Sequence, residues 1–189
     1  MKEVYYVYAV LHNPAYREKY ELNLKREFPR IPFYPDFWKW ANRGKALMDL
    51  HIHYETAEPF DLKEHHAQTK AESMRQKKVE SAKKPEAVYA PKIKPRLKAD
   101  KEKGIIELDE ITFLSGVPKE AWEYRLGNRS ALEWILDQYR EKKPRDPTIA
   151  EKFNTYRFAD YKEHVIDLLR RVCTVSAETM KIVGEMKRQ

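Results

Sequence analysis

KIKPRLKADKEKGIIELDEITFLS, residues 92–115, sets the fold class. Its first residues alternate, with Lys92, Lys94, Arg96 and Lys98 set against Ile93, Pro95, Leu97 and Ala99. A period of two marks an extended, half-buried strand with one basic face. GIIELDE and ITFLS follow, short and marked by β-branched residues, and residues 100–104 supply a turn. The stretch predicts a small antiparallel sheet. Pro95 lacks an amide donor, which suits an edge strand.

Helical patterns flank the sheet on both sides. VYYVYAVLH, residues 4–12, is apolar almost all round, so periodicity does not separate a buried helix from a strand. Asn13-Pro14 reads as a helix cap followed by proline in the first turn, and Tyr16, Tyr20, Leu24 and Phe28 then recur every four residues. RIPFYP, residues 30–35, cannot continue a helix, because its prolines lack a donor and fix φ. Asp36 caps the next helix, whose inner stripe is Phe37, Trp40, Ala41, Gly44, Leu47, Met48 and His51, ending near Thr56. Phe37 with Trp38 or Trp40 should join the Tyr16–Tyr20 face in one apolar cluster.

Beyond the sheet, Pro118 starts a short helix carrying Ala121, Trp122 and Leu126, stopped by Gly127-Asn128. Ser130 with Glu133 is a capping box, and Leu132, Ile135, Leu136 and Tyr139 form the stripe behind it. REKKPRDP, residues 140–147, breaks that helix. Asp160 with Glu163 caps another, carrying Tyr161, Val165, Leu168, Leu169 and Val172, and Thr174 starts the last, to about Met186. The whole reads as α+β, mainly helical with a small antiparallel sheet.

The 189 residues divide into a helical part at 1–58, a basic flexible connection at 59–88 and an α+β part at 89–189. Charge follows this division. Residues 62–103 hold 13 lysines and arginines against 6 acids, a surplus of seven that equals the net charge of the whole chain, +7. A localised basic surface is what a phosphate backbone contact needs. Within it, residues 63–84 have almost nothing to bury and read as solvated and mobile.

Several chemistries lack their residues. His51 and His53 are two apart, which separates them on a helix, and His65-His66 are adjacent in the polar stretch. With one cysteine, Cys173, there is no thiolate metal site and no internal disulfide, and its apolar setting suits a buried small residue in a reducing compartment. Asp109-Glu110 ends a strand, where carboxylates are usually solvated or paired. No glycine-rich phosphate cradle and no run of 18 apolar residues occurs. The expectation is no catalytic residue, no metal, no cofactor and no membrane span, in a cytoplasmic protein.

Two patches are candidates for contact with a nucleic acid. In a regular strand Lys92, Lys94, Arg96 and Lys98 share one face at a spacing of roughly 6.6 Å, close to twice the phosphate spacing. A lysine-rich edge can equally serve to discourage pairing with another sheet. Arg125, Asn128 and Arg129 have the geometry for bidentate contacts to guanine and adenine, or form a helix end with solvated arginines and a capping asparagine.

Three blocks carry a resemblance: YYVYAVLHNPAYREKYELNLKREFPRIPF, ITFLSGVPKEAWEYRLGNRSALEWILDQY and VIDLLRRVCTVSAETMKIV. Together they resemble the C-terminal part of type ISP restriction–modification enzymes of the LlaBIII and LlaGI type, over roughly two thirds of the chain. The family often has Asn-Gly where this chain has Gly127-Asn128, and a longer segment after the Ser130 helix. The resemblance implies one long polypeptide with a nuclease, an ATP-driven motor, a helical coupler and an adenine-N6 methyltransferase. It implies that this chain is the C-terminal target-recognition domain, with double-stranded DNA and the methyltransferase and coupler domains as partners. Asn13-Pro14-Ala15-Tyr16 lacks the second proline of the adenine-flipping motif and reads as a cap. The alternative is a structural or coupling domain with little DNA contact.

Overall fold

The computed structural model describes residues 1–67, 93–142, 146–148 and 156–187. The apolar N-terminal run is helix α1, Lys2–His12. Asn13 ends it and caps α2, Pro14–Lys19, its side chain accepting from the amides of Ala15 and Tyr16. The expected single helix through Phe28 is broken at Tyr20, and α3 is only Glu21–Leu24. Tyr16 is buried and Tyr20 and Leu24 pack beside it, but Phe28 stands 96% exposed.

Asp36, in the left-handed region at φ 60°, accepts from the Lys39 amide and caps α4, Phe37–Ile52. A 3-10 turn at Tyr54–Thr56 follows. Trp40, Ala41, Gly44 and Leu47 form the buried stripe of α4. Gly44 is required there: a Cβ would collide with the Tyr5 carbonyl of α1. Phe37 and Trp40 join the cluster with Tyr16 and Tyr20, while Trp38 stays 55% exposed.

The sheet is antiparallel with order β1-β4-β3-β2: Lys63–His66, Thr112–Ser115, Ile105–Asp109 and Pro95–Asp100. β1 corrects the reading of residues 63–66 as part of a flexible connection. KEHH has no apolar period, and its place comes from β4, which offers a partner edge across some fifty residues of sequence. The remainder of that connection, 68–88, lies outside the described residues. Ile106, Leu108 and Leu114 face the core, and Leu62, just before β1, joins them.

The helix after Pro118 is α5, Lys119–Glu123, and it stops before Leu126, which is half-exposed. Gly127-Asn128 ends no helix. It is the tip of a hairpin between β5, Arg125–Leu126, and β6, Arg129–Ser130. Glycine at the first central position with φ +70° suits the tight turn that a two-residue hairpin needs. Ser130 and Glu133 close the capping box of α6, Ala131–Gln138.

Two expected C-terminal helices are one, α7, Lys162–Lys187. Nothing at Thr174 breaks it, and Ser176 returns its hydroxyl to the Val172 carbonyl within the helix. At 1.5 Å per residue it runs about 39 Å. Its first half, including Val165, Leu169 and Cys173, joins the core cluster that holds Ile106, Leu108 and Leu114 of the sheet, and Val183 and Met186 enter the cluster of α1 and α4. The expected division assigned this helix wholly to the second part; its end packs with the first.

Candidate nucleic-acid interface

Among the described residues β2 is an edge strand, which suits Pro95. The four-residue basic row is not straight, however. Lys92 lies outside the described residues, and Lys94 precedes the strand, its carbonyl accepting from the Glu110 amide. Between Pro95 and Lys98 the register shifts: Pro95 faces Asp109 and Lys98 faces Glu107, so β2 holds one extra residue. Leu97 takes φ 45° and is buried. A bulge bends and twists its strand, so the even two-residue pitch expected for the row is lost. Arg96 and Lys98 both remain exposed, and Arg96 reaches Glu107 at 3.6 Å. That pair is half-exposed and holds the arginine weakly.

Arg125 and Arg129 lie on opposite faces of their hairpin, since Arg125 pairs with Ser130 and Leu126 with Arg129. Arg125 lines a cleft of about 680 Å³ shared with His12, Arg17, Glu18 and Thr179. It also donates across the turn to the Asn128 carbonyl at 2.6 Å. The Asn128 side chain sits exposed at the tip. Trp134 donates its indole N–H to the Leu126 carbonyl at 2.7 Å, which fastens the hairpin to α6.

Arg129 turns toward a polar groove of about 350 Å³ between β2 and α6, where Lys98, Glu133, Asp137 and Arg140 also project. The structure thus brings one residue from each sequence-selected patch, Lys98 and Arg129, to one groove. Three further cations surround it that the sequence reading did not single out. Arg140 donates to the Leu97 carbonyl at 3.3 Å, Lys101 lies 2.9 Å from Glu133, and Lys142 lies 3.6 Å from Asp137. In sequence, residues 140–142 mark only a helix stop, and their placement depends on where α6 ends against the bulge.

Among the described residues, Lys98, Arg129 and Arg140 line the groove with two carboxylates, and Lys101 and Lys142 reach those carboxylates from outside. The hydrogen bond from Arg129 holds the Asp137 carboxyl below its ordinary range. Burial pushes Glu133 up, but hydrogen bonds from Lys101 and from the Ser130 amide and hydroxyl outweigh it and the net direction is down. Both acids are ionised at neutral pH, so they hold the cations in place and reduce their charge.

Other reactive groups have partners or burial within the fold. Asp109 is buried against Lys162 at 2.9 Å and accepts from the amides of Ile111 and Thr112. Burial lowers His51 to about 4; as neutral imidazole it bridges the Tyr8 hydroxyl at 2.6 Å and the Thr179 hydroxyl at 2.9 Å. Cys173 is buried, which pushes its thiol up to about 12. Among the described residues no three His, Cys, Asp or Glu side chains group to hold a metal ion. No described helix is long and apolar enough to cross a membrane.

A family model described as the type ISP C-terminal specificity domain matches residues 2–168. No curated protein matches the chain. Among solved structures, that of a DrdV–DNA complex is 54% identical with a TM-score of 0.80, covering 96% of this chain and 17% of that one. A nuclease-deletion mutant of the type ISP restriction–modification enzyme LlaGI, in complex with a DNA substrate mimic, is 29% identical with a TM-score of 0.69, covering 98% and 16%. The ATP-dependent type ISP enzyme LlaBIII bound to DNA is 25% identical with a TM-score of 0.66, covering 97% and 11%. This chain therefore spans less than a fifth of each solved chain.

Proposed function

This chain belongs to the type ISP C-terminal specificity domain family, and from that membership we propose that it is the DNA target-recognition module of a single-chain restriction–modification enzyme. The observation that carries the reading is the meeting of Lys98 and Arg129 on one polar groove beside a hairpin with an exposed tip. A two-stranded ribbon fits the major groove of duplex DNA, and Gly127-Asn128 is the tip of such a ribbon. Asn128, Arg129 and Arg125 contact base edges, while Lys98, Arg96, Lys94 and Lys92 contact phosphates and set register. Lys101, Arg140 and Lys142 extend the phosphate contact. The module has no chemistry of its own and works in the cytoplasm. Methylation, translocation and cleavage belong to the rest of the polypeptide, whose methyltransferase and coupler domains are its neighbours.

A structural or coupling role is the second reading. What favours it is that Arg96, Arg125 and Arg129 are each engaged within the domain. Duplex binding across a salt series separates the two. A recognition module loses affinity steeply as salt rises, with a slope set by the phosphates it neutralises. Failure to bind any duplex, in the chain and in the long polypeptide that carries it alike, would sink the recognition reading.

A further inference from the structure

We propose that the loop between α3 and α4 is a docking surface for the remainder of the long polypeptide that carries this domain in its relatives. Phe28 and Phe33 stand 96% and 97% exposed on it. This is not slack chain. The hydroxyl of Tyr16 donates to the Arg30 carbonyl at 2.9 Å, and that of Tyr6 donates to the Pro32 carbonyl at 2.7 Å. The Tyr34 amide in turn donates to Tyr6 at 2.7 Å. Both tyrosines belong to the core, and Pro29, Pro32 and Pro35 fix φ between them. Two buried anchors therefore hold a stiff loop in a shape that presents two phenylalanines to solvent. Preorganised in this way, the loop loses little entropy on binding.

The surroundings describe the occupant. Leu22 and Trp38, on either side in sequence, are 69% and 55% exposed. Arg26 and Arg30 are exposed, and neither has a carboxylate partner among the described residues. Aromatic side chains with arginine are the composition of a protein interface core. Glu21 and Glu27 lie in the same segment, so its charge is mixed, as in the polar rim of a protein interface. The partner that fits has apolar pockets for the two rings, rimmed by carboxylates. The solved relatives supply its source. They match 96–98% of this chain while this chain is 17% of their length or less, so most of one polypeptide is tethered beside it. The proposal rests on the reading of this chain as a domain of such a polypeptide.

Hydroxyl-radical footprinting read by mass spectrometry tests it, on the 189-residue chain and on the full-length polypeptide that carries it, both without DNA. Phe28 and Phe33 should oxidise several-fold more slowly in the full-length protein. The double substitution Phe28→Ser, Phe33→Ser should leave the melting temperature of the isolated chain unchanged, because both rings are in water. In the full-length protein it should speed tryptic cleavage at the domain junction several-fold. Equal oxidation rates in the two proteins would overturn the proposal. So would protection that appears only on adding duplex DNA, which would make the loop a nucleic-acid contact. Protection in the isolated chain that grows with its concentration would make it a self-association surface and overturn docking too. No arm needs DNA recognition, so failure of that role leaves this readout intact.

Discussion

The guanidinium of Arg129 lies 3.1 Å from the carboxylate of Asp137, with its carbon 5.3 Å from the centre of the Trp134 ring. One arginine is thus oriented by a carboxylate and set over an indole, two side chains three residues apart on α6. Such an arrangement pre-aims a side chain for a base edge, or else consumes its charge within the domain. The two roles differ in what happens when Asp137 is neutralised.

In the recognition role, Asp137→Asn should strengthen binding to scrambled duplex, because it removes a competing carboxylate. It should also erode preference for the cognate site, because Arg129 loses its guide. Fluorescence anisotropy on cognate and scrambled duplexes measures both. Unchanged binding to both would place Arg129 in a purely internal pair.

Arg129→Ala or Asn128→Ala should cost about 1–3 kcal/mol on the cognate site and little elsewhere. Lys98→Gln should weaken all sequences alike and lower the salt slope by about one unit. A salt series on parent and variants distinguishes them. A Lys98 variant with the parent slope would leave β2 as a protected sheet edge and nothing more.

Acid should destabilise the fold through His51. Its folded value, about 4, lies below the usual 6.5, because burial disfavours the charged ring. The unfolded chain therefore binds more protons between those values, and stability falls as pH drops from about 6.5 toward 4. His12, also lowered by burial, adds in the same direction. Urea melts at pH 7 and pH 5 should show this loss, and His51→Gln should shrink it. An equal loss in parent and variant would put the acid sensitivity elsewhere.

Gly44→Ala should destabilise by about 1–3 kcal/mol, since the added methyl meets the Tyr5 backbone and α1 must move away from α4. Lys162→Met should cost about 3–5 kcal/mol by leaving the buried Asp109 carboxylate without its cation. Thermal melts of each variant read these directly. A Gly44 variant as stable as the parent would mean that the helices are less tightly apposed.

Local chemistry was legible in the amino-acid order. The caps at Asn13, Asp36 and Ser130 act over two or three residues, so the residues concerned are neighbours in sequence. The same holds for the proline-bound loop before Asp36, the alternation that opens β2 and the three blocks that mark the family. Tertiary structure alone decided the rest, because the partners are far apart along the chain. Lys63–His66 is a strand only because β4 lies beside it, and the bulge at Leu97 exists only in register with β3. Gly127-Asn128 was legible in principle as a two-residue hairpin, but flanks of only two residues on each side gave the pattern no length to show. Thr174 looked like a helix start because a hydroxyl residue there can cap. Burial of α7 on both sides of it, from Val165 to Met186, outweighs that local preference. The groove joining Lys98 to Arg129 is the furthest from sequence of all, since it depends on how α6 packs against an irregular edge.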